Sequence, residues 1–289
     1  MLRQILSIFI VLAAVLPAAG FPRPTQDQVQ TMEQTYRVDP GKPIDLVFKD
    51  VDGLLILRPS ADNTISVKVR KEALTKDAKK AARILRETVV DLAQKENTVS
   101  VRIRYPRLRG IFFWVSDMGR IKVVSEIAVP PGTRVRADLV DGSISGEGVR
   151  ADMRLDVVDG DIRLGGFVGR LEAGGVDGQI AVSGELRGLR LRTIDGDVKI
   201  EAAPGSNMSD DWTVRTVDGG IDLTLPPGFS ADLAVQGNGR LETAIPLEGS
   251  GRRGSKLTAK IGGGGKLFGL RTGDGRISIH QGTATRFEP

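Results

Sequence analysis

A short phrase recurs in the chain at a fixed interval and constrains its fold more than any other feature. The phrase consists of a β-branched residue, Asp, Gly, one variable residue, and Ile or Val, and its glycines are Gly142, Gly160, Gly178 and Gly196. The step between successive glycines is the same each time. A fixed period of roughly 20 residues is typical of solenoids, in which each repeat forms one coil stacked on the previous coil.

Aliphatic residues alternate with other residues on both sides of each Asp-Gly pair. Ile180 and Val182 follow Gly178 in this way, and Leu171 and Ala173 precede it. Such alternation predicts strands with one buried face, and Asp-Gly predicts a corner because Gly tolerates positive φ. The sequence therefore predicts a mainly β fold, a parallel β-solenoid whose coils contain about 18 residues each. An antiparallel meander of Asp-Gly hairpins is the alternative.

The phrase continues with looser spacing toward the C terminus. Further copies contain Gly219 and Gly275, and a weaker Asn-Gly copy contains Gly239. Because Gly239 and Gly275 are two periods apart, the pattern predicts one more coil near residues 257–265. The aligned corner residues are expected to form a structural turn ladder, which consists of Asp141, Gly142, Asp159, Gly160, Asp177, Gly178, Asp195, Gly196, Asp218, Gly219, Asp274 and Gly275.

The repeats follow an entry segment with the sequence E-I-A-V-P-P-G-T at residues 126–133. In both features the chain resembles the bacterial "putative adhesin" family of β-solenoid envelope domains, which combines a strand–P-x-G-T–strand entry with repeated D-G-x-I coils. The resemblance covers about residues 34–282. It implies a fold rather than a reaction, and so it implies no catalytic residue.

The segment 1–20 has the pattern of a secretory signal peptide. A basic residue, Arg3, precedes an apolar run at 5–16 and small residues that end at Gly20. The run is short for a bilayer span, so we expect cleavage near Gly20 and an exported protein, periplasmic or at the cell surface; an uncleaved anchor is the alternative. The remaining predicted parts are a polar lead-in (21–34), an N-terminal strand and helix cap region (35–132), solenoid repeats (133–282) and a tail (283–289).

One stretch of the cap region has helical periodicity. Apolar residues three or four apart over residues 74–94 predict an amphipathic helix, with Thr75 as a capping residue before Asp77. Such a helix would cover the open end of the solenoid, as terminal units must. A partner-binding helix is the alternative.

The composition leaves little material for catalysis. The chain has no cysteine, and His280 is its single histidine. Cys-His catalysis is therefore excluded, and Ser-His catalysis would depend on this one histidine. The same acids recur at every coil, as structural residues do. We therefore predict a non-catalytic protein without a catalytic residue, cofactor or metal site, and the resemblance implies an adhesin-like envelope-binding or scaffold role. A polysaccharide-acting enzyme that uses an Asp cluster of the solenoid is the alternative.

The Asp ladder raises the question of how its charges are satisfied. Carboxylates stacked about 4.8 Å apart repel one another. They can accept hydrogen bonds from the backbone of their own turns or bind Ca²⁺. Because the calcium-binding nonapeptide pattern is absent, the sequence favours backbone capping.

Residues 105–115 contain the dense aromatic patch of the sequence. Arg107 and Arg109 precede Phe112, Phe113 and Trp114, and these five residues are candidates for contact with a membrane surface. Alternatively, this loop folds over the first coil and closes its apolar end. Basic residues outnumber acidic residues by 15 to 6 between positions 66 and 124, which favours an anionic partner. The predicted partner is an envelope component (glycan, protein or anionic lipid surface) and not nucleic acid.

Overall fold

The computed structural model of the chain describes residues 28–106 and 121–282, which contain nineteen strands and one helix. The elements in chain order are β1 (Val29–Arg37), β2 (Asp45–Pro59), β3 (Thr64–Ala73), α1 (Ala78–Glu87), β4 (Val89–Lys95), β5 (Thr98–Arg104), β6 (Ile121–Val129), β7 (Thr133–Glu147), β8 (Ala151–Asp159), β9 (Ile162–Asp177), β10 (Ile180–Arg192), β11 (Val198–Ala202), β12 (Trp212–Arg215), β13 (Ile221–Leu225), β14 (Ala231–Gln236), β15 (Leu241–Thr243), β16 (Glu248–Arg253), β17 (Lys256–Ile261), β18 (Leu267–Arg271) and β19 (Ile277–Gln281). The prediction of a mainly β protein is confirmed.

The strands form two rows that meet at the Asp-Gly corners. Row 1 has the order β4-β5-β2-β7-β8-β9-β10-β12-β18-β14-β17-β16. Row 2 has the order β1-β3-β6-β2-β7-β9-β10-β11-β13-β19-β15. The long strands β2, β7, β9 and β10 belong to both rows. The aliphatic side chains that alternate along each strand lie buried, and they form one core.

The pairings from β7 to β11 are parallel and follow the period of the sequence. In row 2, Ile144 pairs with Ile162, Ile162 with Ile180, and Ile180 with Val198, so the register advances by one repeat at every step. The hairpin alternative is therefore wrong for this stretch, because hairpins would pair these strands antiparallel.

The sheet as a whole is mixed, so the prediction of an entirely parallel β-solenoid is not confirmed. Antiparallel pairs occur toward the ends of the rows: β1 with β3, β3 with β6, and β4 with β5 at one end, and β14 with β17 and β17 with β16 at the other. The last coil of a stack has backbone N–H and C=O groups without partners. Hairpins added there supply those partners.

The C-terminal coils do not stack in chain order. Ile221 of β13 pairs with Ile277 of β19, and Ile277 pairs with Leu241 of β15. The last coil of the chain, β18 and β19, thus lies between the two coils that precede it. The predicted coil near residues 257–265 is wrong, because β17 pairs antiparallel with β14 and forms a hairpin with β16.

The N-terminal predictions need two corrections. Residues 29–34 of the expected lead-in belong to β1, which pairs with β3. The helix is shorter than expected and begins after Asp77, whose carboxylate accepts a hydrogen bond from the Lys80 amide, rather than at Thr75. The buried Lys71 ammonium donates to the carbonyls of Leu85 and Thr88, and the chain then continues as β4.

Three of the sequence-based predictions lie outside the described residues. They are the signal peptide (1–20), the tail (283–289), and the five candidate contact residues Arg107, Arg109, Phe112, Phe113 and Trp114. These remain predictions.

Candidate functional site

The corner glycines lie in one column along the molecule. A Cβ atom on Gly160 would lie 1.8 Å from the carbonyl oxygen of Gly142, and a Cβ atom on Gly178 would lie 2.2 Å from that of Gly160. The same close approach links successive members of the whole column, which runs Gly53, Gly142, Gly160, Gly178, Gly196, Gly219, Gly275 and Gly239. Neighbouring coils approach too closely at this corner for any side chain.

The corner aspartates form a second column next to the glycines. Asp141, Asp159 and Asp177 are register partners, and Asp177 forms a bridge with Asp195. These side chains are exposed, and within the described part of the chain their carboxylates accept no hydrogen bond. The expected backbone capping by these aspartates is therefore not observed, because the carboxylates face solvent.

The hydrogen bonds between corners use the residue that follows each glycine instead. The Gln179 amide donates to Oδ1 of Asp161 at 2.8 Å, and the Gly220 amide donates to Oδ1 of Asp197 at 2.8 Å. These carboxylates join one coil to the next and are satisfied by the backbone.

A third column at the corner consists of exposed aliphatic side chains. Its members are the residues that precede each Asp, and between 38% and 50% of each residue is exposed: Val51, Val140, Val158, Val176, Ile194 and Val217. The next coil has Gly273 at this position, where the column ends. A monomer rarely leaves a continuous apolar row in water unless the row contacts something.

The outer face of row 1, which lies beside this aliphatic column, carries arginine and acidic side chains. The outward arginines of β7, β8 and β9 in this row each have an acidic partner, whereas Arg102 of β5 forms no ion pair within the described residues. Arg134 pairs with Asp45 at 2.6 Å, Arg136 with Asp138 at 3.8 Å, Arg154 with Glu172 at 3.0 Å, and Arg170 with Asp210 at 2.6 Å. The arginines of these three strands are therefore neutralised by neighbouring acids.

The second half of the same face carries arginines without an acidic partner. Arg190, Arg192, Arg215 and Arg271 are exposed, and within the described ranges none of them forms an ion pair or a side-chain hydrogen bond. An open groove of about 880 Å³ runs along this face, and Arg190, Arg192 and Arg215 line it. Gly174, the register neighbour of Arg192, has no side chain to fill the groove there.

A buried acid lies at the corner of the first coil. Asp50 occupies the position that Leu139 occupies in the next coil, and its Oδ2 accepts no hydrogen bond from any residue that the structure describes. Burial raises the pKa of Asp50 to about 7, although the neighbouring Tyr105 hydroxyl partly opposes this shift. Tyr105 donates its hydroxyl hydrogen to the carbonyl of Asp52, and burial together with Asp141 raises the pKa of Asp52 as well.

The described residues contain neither a metal-ligating cluster nor a membrane-spanning helix. Across 28–106 and 121–282, no group of three or more His, Cys, Asp or Glu side chains has an arrangement that could hold a metal ion. In the same ranges, no helix has the length and apolar character needed to cross a bilayer.

Comparison with known proteins gives structural neighbours only. No protein-family model matches the chain, and no curated protein matches it. A "putative adhesin" from Bacteroides fragilis is 11% identical with a TM-score of 0.42, over 89% of this chain and 98% of that one. A "putative cell adhesion protein" from Clostridium sporogenes is 13% identical with a TM-score of 0.39, over 88% and 100%. A "putative lipid binding protein" from Parabacteroides distasonis is 11% identical with a TM-score of 0.32, over 90% and 96%.

The unpaired arginines and the aliphatic column were not predicted from the sequence. The sequence repeat could have revealed the arginines, because the outward residues of successive repeats can be aligned with the same period as the corner glycines. That alignment places Asp138, Asp156, Gly174 and Arg192 in one line. The irregular steps to Arg215 and Arg271 hide the rest of the line.

Proposed function

We propose that this chain is a non-catalytic, adhesin-like binding protein of the bacterial cell envelope. In this proposal the parallel coils form a β-solenoid with hairpins and a helix at its ends, and the chain is exported after cleavage near Gly20. The partner is an envelope component that lies along the coils rather than in a closed pocket.

One observation carries the proposal: the outer face of row 1 presents a continuous aliphatic column beside a groove of charged side chains. The column extends over six coils, from Val51 to Val217. Such an extended surface suits a partner that contacts several coils at once. The resemblance of the D-G-x-I coils to envelope adhesins supports the same class of function.

The arrangement of the acids favours binding over catalysis. An enzyme acting on polysaccharides needs two carboxylates with different environments, so that one donates a proton while the other stays ionised. The corner aspartates instead repeat with equivalent, exposed positions. Asp50 differs from them, and although it lines the same groove as Arg190, Arg192 and Arg215, it is buried.

A binding assay that also measures turnover tests this proposal. The protein is isolated from the periplasm, its N terminus is sequenced, and it is incubated with a panel of neutral and acidic envelope polysaccharides. We expect a mature N terminus near Phe21 and binding without any change in polymer length. Release of shorter oligosaccharides would contradict a non-catalytic role.

A further inference from the structure

Three arginines stand in line on adjacent strands of row 1. Arg192 of β10 is the register partner of Arg215 of β12, and Arg215 is the register partner of Arg271 of β18. Neighbouring strands are about 4.8 Å apart, so the backbone positions of the three arginines follow one another at about this distance. Like charges directly opposite each other destabilise a sheet. The line therefore has a cost to folding unless something else compensates it.

The compensation does not come from the described part of this chain. Arg192, Arg215 and Arg271 have no acidic partner within the described residues, and neither does Arg190 on the same strand as Arg192. Elsewhere on this face the same residue type is paired with an acid at nearly every coil. Arg154, for example, contacts both Asp156 and Glu172. The four unpaired guanidinium groups retain their donors for an external anion.

The surroundings of the arginine line form a shallow trough. On one side, small residues occupy the neighbouring positions, because Thr213 pairs with Gly269 and Gly269 pairs with Ala234. Among the described residues, a Cβ atom on Gly269 would meet only the carbonyl oxygen of Trp212, at 3.8 Å, so no other described atom fills the space above it. On the other side lie the half-exposed side chains of Ile194 and Val217.

We propose that this trough binds an unbranched polysaccharide that carries a carboxylate on successive sugars. Guanidinium groups donate paired hydrogen bonds to carboxylates, and a line of arginines requires a ligand whose charges also repeat along a line. The methyl groups of Ile194 and Val217 suit the C–H faces of sugar rings. This inference rests on the proposed binding function and names the ligand class.

The face lacks what other polyanions need. Proteins that bind single-stranded nucleic acid stack its bases on aromatic side chains, and the described outward positions of row 1 carry no aromatic residue. A membrane surface is usually met by aromatic side chains and protruding apolar groups. Ile194 and Val217 are 43% and 50% exposed and belong to the corner rather than to a protruding loop.

The test compares two triple variants with the same change in charge. The first, R192Q/R215Q/R271Q, removes the unpaired line. The second, R134Q/R136Q/R154Q, removes three arginines of the same face that already have acidic partners. Binding to sodium alginate, a polymer of uronic acids, is measured by calorimetry at low and at moderate salt. Thermal unfolding of each variant confirms that the fold is intact.

We expect the wild-type protein to bind alginate with an affinity that falls as salt rises. The first variant should lose at least tenfold in affinity, and the second should change by no more than about threefold, since net charge alone does not set the affinity. Equal losses in both variants would overturn the site. So would stronger, arginine-dependent binding to anionic phospholipid vesicles or to polyphosphate than to alginate.

The same experiment separates this inference from the proposed function. Binding to neutral dextran that is unaffected by either variant would overturn the carboxylate site but leave a non-catalytic binding role intact. Shortening of the alginate chains would contradict the non-catalytic role itself.

Discussion

Residues 133–202 and residues 212–281 use the same corner and the same alternation, yet they stack in different ways. In the first region each coil lies on the coil that precedes it in the chain. In the second region β19 lies between β13 and β15. The glycine column nevertheless runs through both regions without a break. The close packing of the corners is therefore kept in both stacking orders.

The two regions also differ in what fills the core. Aliphatic side chains dominate the first, whereas the second contains an aromatic cluster of Trp212, Phe229 and Phe268, with ring centroids 5.4 Å apart between Trp212 and each of the others. Trp212 belongs to β12 and Phe268 to β18, and these strands are adjacent in row 1. The cluster thus joins strands that are distant in the chain.

The largest effect is expected at the glycine column. Gly178→Ala places a Cβ atom 2.2 Å from the carbonyl oxygen of Gly160. The φ of this residue is 119°, which residues other than glycine rarely adopt. We expect the free energy of unfolding to fall by more than about 4 kcal/mol, or the variant to fail to fold. Gly275→Ala should be equally damaging in the second region, because its Cβ would lie 1.7 Å from the carbonyl oxygen of Gly219. Chemical denaturation measures both.

Gly228→Ala is the matched control for backbone strain. Gly228 has a φ of 78°, but no atom of the described residues lies within 4 Å of its added Cβ atom. We expect Gly228→Ala to lower the free energy of unfolding by only about 1 kcal/mol. If Gly178→Ala were no worse than Gly228→Ala, the close contact between coils would not be what holds this corner.

The next effect is expected in the aromatic cluster. Phe268 is fully buried, and Phe268→Ala should cost about 3–5 kcal/mol through the cavity it creates. Because stacked repeats unfold partly region by region, amide hydrogen exchange should accelerate over residues 212–281 and stay slow over residues 133–202. Phe167→Ala, in the first region, is the counterpart and should show the reverse. Uniform acceleration in both variants would mean that the two regions unfold as one unit.

A smaller effect is expected at the first coil, where Asp50 replaces an aliphatic residue. Between its ordinary pKa of 3.8 and its raised pKa of about 7, the folded protein holds a proton on Asp50 that the unfolded chain has released. Stability should therefore fall as pH rises through this window, by about 2–4 kcal/mol in total.

Asp50→Asn keeps the shape of the protonated acid and removes the titration. The variant should be more stable than the wild type at pH 8 and nearly equal to it at pH 4. Urea unfolding at several pH values measures the difference. If the stability of the wild type relative to Asp50→Asn did not fall between pH 4 and pH 8, Asp50 would be ionised in the folded state.

The strands and corners could be predicted from the sequence because they depend on local patterns. Alternation around Gly178 specifies which side chains are buried, and the Asp-Gly pair specifies where the chain bends. The inserted position of β19 could not be predicted, because Ile277 pairs equally well with any aliphatic strand that follows a corner. The hairpin of β16 and β17 looks like a coil in the sequence because its length fits the period.

The candidate site was harder to predict than the fold. The sequence shows that Arg192 and Arg215 exist, but only the register shows that they face each other without an acid between them. The end of the helix could not be predicted either. It depends on a hydrogen bond from Lys71, a residue of β3, to the last turn of α1, and not on the helical pattern itself.

The most direct test of the stacking order uses disulfide formation in a chain that has no cysteine of its own. Asp222 of β13 and Glu242 of β15 are both register partners of Ser278. Adjacent strands are about 4.8 Å apart, within reach of a disulfide, whereas strands two steps apart are not. We expect Asp222→Cys with Ser278→Cys to form a disulfide on mild oxidation, and Asp222→Cys with Glu242→Cys to stay reduced. A disulfide in the second pair and none in the first would show that the coils stack in chain order.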